Sequence, residues 1–113
     1  YWFIEANPRL QVEHTVTEEV LGLDLVALQF AVAGGATLAD LSLAAPPPAP
    51  RESAIQLRIN TETLDADGNA RPSGGVIAHF EAPGGPGVRV DGAAYAGYAL
   101  NPGFDPMIAK LIV

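Results

Sequence analysis

Near the start of the chain, residues 4–14 carry a polar side chain at every second position. These polar residues are Glu5, Asn7, Arg9, Gln11 and Glu13. In an extended chain, alternate side chains point to the same face. The five groups would then line one surface over roughly 27 Å, at a rise of ~3.3 Å per residue. The row combines two carboxylates, two amides and one guanidinium, a set that suits the binding of a metal ion and a small anion.

Each residue type in this row favours a particular chemistry. Glu5 and Asn7 offer hard oxygen ligands for Mg²⁺ or Mn²⁺, which proteins usually share with phosphate groups. Arg9 can form two parallel hydrogen bonds to a small oxyanion such as bicarbonate, and Gln11 can add another donor. Glu13 stands where a general base would act on that anion.

Two alternatives to this interpretation stay open. His14 could be the base in place of Glu13, or it could serve only as a structural hydrogen-bonding group. The whole row could also be the exposed face of a half-buried strand. The opposite face is not strongly apolar, which weighs against a simple strand, because it consists of Ala6, Pro8, Leu10 and Val12.

The elements that position this row can be predicted from the local pattern. Residues 1–5 are aromatic or β-branched apart from Glu5, which predicts a buried strand. Thr17 suits the N-cap of a helix, with Glu18 and Glu19 in its first turn, where the helix dipole favours negative charge. The apolar run 20–33 predicts one largely buried helix.

The second half of the sequence indicates a small antiparallel β domain, so the predicted fold class is α+β. Alanine and proline dominate residues 44–50, which predicts an extended, polyproline-like connector. The predicted divisions are an end-of-domain segment at 1–35, a connector at 36–50 and a second domain at 51–113. Within that domain the pattern predicts a turn at 65–69 and strands at 53–60, 75–82, 88–91, 95–100 and 107–113. The first of these strands alternates apolar and polar residues, and Arg58 lies on its polar face.

Composition excludes several functional classes. The formal net charge is −7 with six Lys and Arg, which argues against a nucleic-acid partner or an anionic membrane surface. No apolar run approaches the ~20 residues that span a bilayer. Cysteine is absent, so there is no disulfide or thiolate metal site, as in a cytoplasmic protein. Both ends fall within apolar runs, and we expect the sequence to be part of a longer chain.

The run FIEANPRLQVEHTVTEEVLGLDLV closely resembles the biotin carboxylase signature E-x-N-x-R-[LI]-Q-V-E-H, with its following T-E helix and G-x-D-L-[VI] turn. Further segments resemble later landmarks of that family, in order, at residues 54–60, 72–77, 83–91 and 104–113. The sequence departs from the family where Gln56 replaces a glutamate two residues before Arg58. The resemblance implies the end of an ATP-grasp domain, with a strand and a buried helix, followed by the antiparallel C-terminal domain of a biotin carboxylase.

The resemblance also implies a ligase activity and a role for each site residue. Glu5, assisted by Asn7, would hold the Mg²⁺ or Mn²⁺ ions that accompany ATP. Arg9, Gln11 and the backbone of Val12 would bind bicarbonate.

By the same resemblance, Glu13 would deprotonate bicarbonate and Arg58 would stabilise the enolate of biotin. The implied partners are a biotin carboxyl carrier domain, a carboxyltransferase of the acyl-CoA type and further copies of the parent chain. The chain alone would be inactive. The alternatives are another ATP-grasp ligase such as carbamoyl-phosphate synthase, or a non-catalytic β-rich interaction module in which Arg58 is a solvated surface charge.

Overall fold

The computed structural model describes residues 1–46, 49–50 and 52–113. Its contacts divide the chain into two compact units, Tyr1–Ala54 and Ile55–Val113. Two helices lie in the described part of the first unit and short antiparallel strands make up the second, which confirms the predicted α+β class. The predicted polyproline-like connector and the predicted domain start at residue 51 include Pro47, Pro48 and Arg51, which lie outside the described residues.

The described residues of the first unit form two helices where the sequence predicted one. They are α1, His14–Leu21, and α2, Leu25–Ala33. Gly22 ends α1 in the left-handed conformation at φ 66°, a region that glycine enters without the steric cost of a Cβ atom. Two residues later, the Asp24 carboxylate accepts a 2.8 Å hydrogen bond from the N–H of Ala27 and caps α2. The prediction of a single helix was wrong because Gly22 ends one helix and Asp24, two residues later, begins the next.

Glu18 joins the two helices. Its side chain is buried, and Oε1 accepts a 2.9 Å hydrogen bond from the N–H of Leu25, the first residue of α2. The same Oε1 lies 3.0 Å from Nδ1 of His14, one turn earlier on α1. The predicted N-cap at Thr17 was wrong, because α1 begins at His14. Glu18 does complement a helix dipole, but at the start of the second helix rather than the first.

The predicted strand at residues 1–5 and the predicted burial of the helix are also corrected. A strand needs a neighbour to bond its backbone N–H and C=O groups, and no strand within the described residues pairs with this segment. Its side chains are exposed, as for Trp2 at 94%. None of the residues described in α2 is fully buried, and Phe30 is 75% exposed.

Seven short strands form the second unit. They are β1 (Gln56–Asn60), β2 (Glu62–Leu64), β3 (Ala70–Pro72), β4 (Gly75–Val76), β5 (Arg89–Gly92), β6 (Ala99–Leu100) and β7 (Met107–Ile112). The main sheet has the order β1-β7-β5, and two antiparallel ladders, β2-β3 and β4-β6, accompany it. The strands predicted at 53–60, 88–91 and 107–113 are present with slightly different ends. Those predicted at 75–82 and 95–100 are reduced to two-residue strands.

The central strand β7 carries the packed interior of the second unit. Its residues Ala109 and Ile112 are 5% and 1% exposed. Gly92 of β5 lies opposite Ala109, and a Cβ at this glycine would stand 3.0 Å from the Ala109 Cβ. Only a residue without a side chain therefore allows this approach. The register of β1 against β7 is regular up to Ile59 and shifts between Ile59 and Asn60, as at a β-bulge.

The apolar face of β1 was predicted to be half-buried, and this prediction was wrong for the described chain. Ile55, Leu57 and Ile59 are 63%, 51% and 41% exposed. Alternation correctly assigned the two faces, but it cannot say which other element covers the apolar one.

The turn predicted at residues 65–69 joins β2 to β3. Oδ1 of Asp65 accepts hydrogen bonds from the N–H groups of Asp67 and Asn69, at 3.1 and 2.9 Å. The Asn69 backbone bond is the main cause that lowers the pKa of Asp65 below its usual range. Arg71 Nε adds a 3.2 Å bond to the other carboxylate oxygen.

Replacing Glu18 tests whether its carboxylate joins the helices. Glu18→Ala leaves the partly buried Leu25 N–H without this charged acceptor, and we expect a loss of about 1–3 kcal/mol in the free energy of unfolding. Glu18→Gln keeps a carbonyl oxygen for that N–H and should lose less than half as much. Denaturant unfolding of both variants measures the difference, and equal losses would contradict the capping role.

Candidate active site

The polar row does not run straight, so the predicted extended surface was wrong beyond Asn7. The N–H of Arg9 donates a 2.8 Å hydrogen bond to the carbonyl of Asn7, which bends the chain around Pro8. A second turn follows, where the N–H of His14 donates to the carbonyl of Gln11 at 3.2 Å as α1 begins. The row is therefore divided into two parts. Glu5 and Asn7 form a carboxylate–amide pair, and Arg9, Gln11 and Glu13 lie just before or at the start of α1.

Glu5 and Asn7 form the first part. Asn7 Nδ2 lies 3.5 Å from Glu5 Oε1, and both side chains are exposed. Rotation of the Asn7 side-chain amide by 180° would place its oxygen beside the Glu5 carboxylate, which gives two adjacent hard oxygen ligands. No group of three or more His, Cys, Asp or Glu suited to a metal occurs in the described part of the chain. The pair thus fits a Mg²⁺ or Mn²⁺ ion whose other ligands are phosphates and water, and not a closed protein cage.

Arg9, Gln11 and Glu13 line one cleft of about 750 Å³ in the first unit. Glu5 and Asn7 are not among its lining residues. Its remaining walls are mainly apolar, from α2 and the segment after it, with Leu25, Leu28, Val32, Leu38, Leu41 and Leu43. A charged group beside such walls is less screened than in bulk water, which strengthens its attraction for an ion of opposite charge. Arg9 is oriented in part by a 3.3 Å hydrogen bond from its guanidinium to the carbonyl of Leu10.

His14 and Glu13 are neighbours in different surroundings. The His14 side chain is 12% exposed, and its Nδ1 lies against the buried Glu18. Glu13 is exposed at the N-cap position of α1 and reaches the cleft. This arrangement favours Glu13 as the group that meets a bound anion and His14 as a structural contact of Glu18.

Arg58 lies in the middle of β1, in the second unit, with an exposed side chain. Its cross-strand partner is Lys110 of β7, and the next partner in the same row is Asp91 of β5. Arg89 joins the group through two 2.8 Å hydrogen bonds, from Nε and one terminal nitrogen, to the two Asp91 oxygens. Lys110 Nζ lies 3.8 Å from Asp91 Oδ2.

From the sequence, Glu18 was predicted only as a residue in the first turn of a helix, and Lys110, Asp91 and Arg89 were not predicted as functional residues. The alternation in β5 and β7 could have placed the last three on polar faces. Only the register of the two strands shows that those faces coincide.

Comparison with models of known protein families defines the class to which the chain belongs. Residues 1–41 match the family model described as the carbamoyl-phosphate synthase L chain, ATP binding domain. Residues 56–113 match the model described as the biotin carboxylase C-terminal domain. This order, an ATP-binding segment followed by an antiparallel β domain, is that of an ATP-grasp ligase. The chain belongs to the biotin carboxylase family, as its motifs predicted.

Curated relatives of the chain are much longer proteins. Pyruvate carboxylase of Aspergillus niger is 47% identical over 111 residues, which are 97% of this chain and 9% of that protein. The biotin-dependent acyl-coenzyme A carboxylase alpha3 subunit of Mycobacterium leprae is 48% identical over 98% of this chain and 18% of its own length. The chain thus spans about a tenth to a fifth of these relatives.

Solved structures show the same fold. A single-chain, multi-domain long-chain acyl-CoA carboxylase superposes with a TM-score of 0.93 at 48% identity, over 98% of this chain and 12% of that one. The biotin carboxylase domain dimer of Hydrogenobacter thermophilus 2-oxoglutarate carboxylase, in complex with MgADP, ADP and bicarbonate, has a TM-score of 0.78 at 39% identity. This superposition covers 99% of the present chain and 24% of the H. thermophilus chain. None of the helices described here has the length and apolarity needed to cross a membrane.

The Arg58 side chain is exposed on an edge strand of the sheet, so its replacement tests whether it has a structural role. For Arg58→Ala we expect the free energy of unfolding to change by about 0.5 kcal/mol or less. Ile112→Ala, at the buried centre of the same sheet, should cost about 2–5 kcal/mol. Thermal unfolding compares the two, and a loss at Arg58 as large as that at Ile112 would give Arg58 a structural role.

Proposed function

We propose that this chain supplies part of the active site for the ATP- and bicarbonate-dependent carboxylation of biotin, within a longer biotin-dependent carboxylase. The observation that carries the proposal is that Arg9, Gln11 and Glu13 line one cleft in a chain of the biotin carboxylase family. An arginine, an amide and a carboxylate are the groups needed to bind a small oxyanion and remove its proton.

Arg9 binds bicarbonate through two parallel N–H donors, and the Gln11 amide and the Val12 N–H add further hydrogen bonds. Glu13 takes the bicarbonate proton. The freed oxygen attacks the γ-phosphorus of ATP, the bond to the ADP oxygen breaks, and carboxyphosphate and ADP form. Support for the anion comes from the H. thermophilus relative, whose structure contains bicarbonate with MgADP.

Glu5 and Asn7 would hold the divalent cation that accompanies the nucleotide. A Mg²⁺ or Mn²⁺ ion held by these residues would supply positive charge that offsets the negative charge of the transferring phosphoryl group. The two side chains lie 3.5 Å apart, so they can share one ion without rearrangement of the backbone.

Arg58 acts in the second step, in which carboxyphosphate breaks down to CO₂ and phosphate, the phosphate takes the N1′ proton of biotin, and the resulting enolate captures CO₂. Its guanidinium places fixed positive charge where the ureido oxygen becomes negative as the N1′ proton leaves, and fixed charge of this kind is usually a large catalytic contribution. Biotin would arrive on a carrier domain and pass the carboxyl group to a carboxyltransferase. A dimer of the parent protein is the corresponding assembly, by analogy with the H. thermophilus domain.

The match of residues 1–41 to a carbamoyl-phosphate synthase domain supports a second candidate, another ATP-grasp ligase. The match of residues 56–113 to the biotin carboxylase C-terminal domain favours the first candidate, because that half contains Arg58. A non-catalytic interaction module is less well supported, because it gives no reason for the three polar groups in one cleft.

Biotin dependence tests the function in the full-length carboxylase. We expect bicarbonate-dependent ATP hydrolysis to rise when free biotin is added to the wild type. Arg58→Ala should lose that stimulation and keep the slow biotin-independent rate, because its role begins after carboxyphosphate forms. Release of phosphate measures both rates. Active ATP turnover without any response of the wild type to biotin would favour another ATP-grasp ligase.

The identity of the base can be tested separately. Glu13→Gln should lower bicarbonate-dependent ATP hydrolysis by about 10²–10⁴-fold, because the amide cannot accept the proton. Nucleotide binding, measured by calorimetry, should remain. Glu19→Gln, which removes the same charge from an exposed position on α1, serves as the control. If Glu13→Gln stays active and His14→Gln loses activity while still folded, the histidine is the base.

A further inference from the structure

The backbone around Glu13 belongs to the first turn of α1. The Glu13 carbonyl accepts a 3.1 Å hydrogen bond from the N–H of Val16. The N–H of His14 donates a 3.2 Å hydrogen bond to the carbonyl of Gln11, which closes a turn around Glu13. The position of the Glu13 side chain at the cleft therefore depends on where this first turn lies.

The side chain of His14 fixes that turn to a buried carboxylate. His14 Nδ1 lies 3.0 Å from Glu18 Oε1, and the two side chains are only 12% and 4% exposed. Residues four apart face each other on a helix, which allows this contact within α1. The same Oε1 accepts a 2.9 Å hydrogen bond from the N–H of Leu25. One oxygen atom thus contacts the first residue of α1 and the first residue of α2.

Both of these first residues line the cleft. His14 and Leu25 are among the lining residues of the cleft that Glu13 reaches, whereas Glu18, which contacts both, is not. A buried carboxylate is costly to leave without polar partners, so the groups around it resist displacement. The Glu18 contacts therefore hold the start of α1 at a defined distance from the apolar wall that α2 supplies.

We infer that His14 is a positioning residue for Glu13: through its contact with Glu18, it holds the first turn of α1 so that the Glu13 carboxylate reaches the bicarbonate proton. This inference rests on the proposed function. A general base must come within about 2.6–3.2 Å of the atom that carries the proton, and a misplacement of about 1 Å can cost about 10²-fold in rate. Arg9 is oriented in part by the carbonyl of Leu10, outside α1, so the anion should still bind when the turn moves.

Variants of His14 test the inference in the full-length carboxylase. His14→Phe keeps a planar ring and removes both nitrogens. We expect the kcat of bicarbonate-dependent ATP hydrolysis to fall about tenfold, with KM for bicarbonate changed by less than about twofold. His14→Asn places a nitrogen donor close to the position of Nδ1 and should restore most of the kcat. If thermal unfolding shows that His14→Phe does not fold, the smaller His14→Ala takes its place in every comparison.

A double variant shows whether His14 acts through Glu13. His14→Phe combined with Glu13→Gln should have the same residual rate as Glu13→Gln alone, because the position of residue 13 has no effect once the base is removed. His79→Phe is the matched control. It makes the same replacement at the other histidine of the chain, which is 83% exposed in the second unit, and should leave the kinetics as in the wild type.

The outcomes distinguish the inference from the function beneath it. A wild type without bicarbonate-dependent ATP hydrolysis would remove the proposed function and the inference together. A normal kcat in folded His14→Phe, beside an inactive Glu13→Gln variant, would overturn the inference and leave the function in place. A loss that asparagine does not restore, or that adds to the loss in Glu13→Gln, would also overturn it, because His14 would then act independently of Glu13.

Discussion

The pairing of β7 with two neighbours is the interaction on which the second unit depends. This strand contributes the two buried apolar side chains of the unit, Ala109 and Ile112, and it bonds to β1 on one side and β5 on the other. The Gly92–Ala109 approach allows β5 to come close enough to complete the ladder. Because β7 is central, its alternation also decides which residues of the three strands share a face. The two buried residues therefore lie on opposite faces of β7, and Ile112 shares its face with Lys110.

In the first unit, a short break between helices has the corresponding role. Gly22 ends α1, Asp24 caps α2, and the Glu18 carboxylate joins them through Leu25. The resulting corner leaves a cleft between α2 and the segment that precedes α1. One continuous helix would carry its later residues away from Arg9 and would not form that wall. The apolar wall of this cleft therefore depends on one left-handed glycine and on the carboxylates of Asp24 and Glu18.

The class of fold could be predicted from the sequence, as could the proximity of Arg9, Gln11 and Glu13, whereas several details of geometry could not. Glycine and proline positions, alternation in β1 and the apolar run of β7 are local signals, and they gave the turn at 65–69 and the main strands. The bend around Pro8 and the start of α1 at His14 depend on backbone hydrogen bonds that compete with an extended chain. The row Arg58–Lys110–Asp91 depends on pairing between segments far apart in sequence, which no local pattern contains. The partners of Glu18 are closer in sequence, at His14 and Leu25, but they face it only because the chain turns between α1 and α2.

The irregularity in β1 has a consequence for how such a chain can vary in length. Pairing is regular from Gln56 to Ile59 and shifts only after that residue. A deletion or insertion of one residue before Arg58, within the paired stretch, would exchange the two faces and bring Leu57 or Ile59 into the charged row. Beyond the bulge the regular pairing of β1 with β7 has ended, so an added residue would fall in the connection to β2 and would leave the two faces unchanged. Related chains should therefore differ in length after Ile59 and not between Gln56 and Arg58.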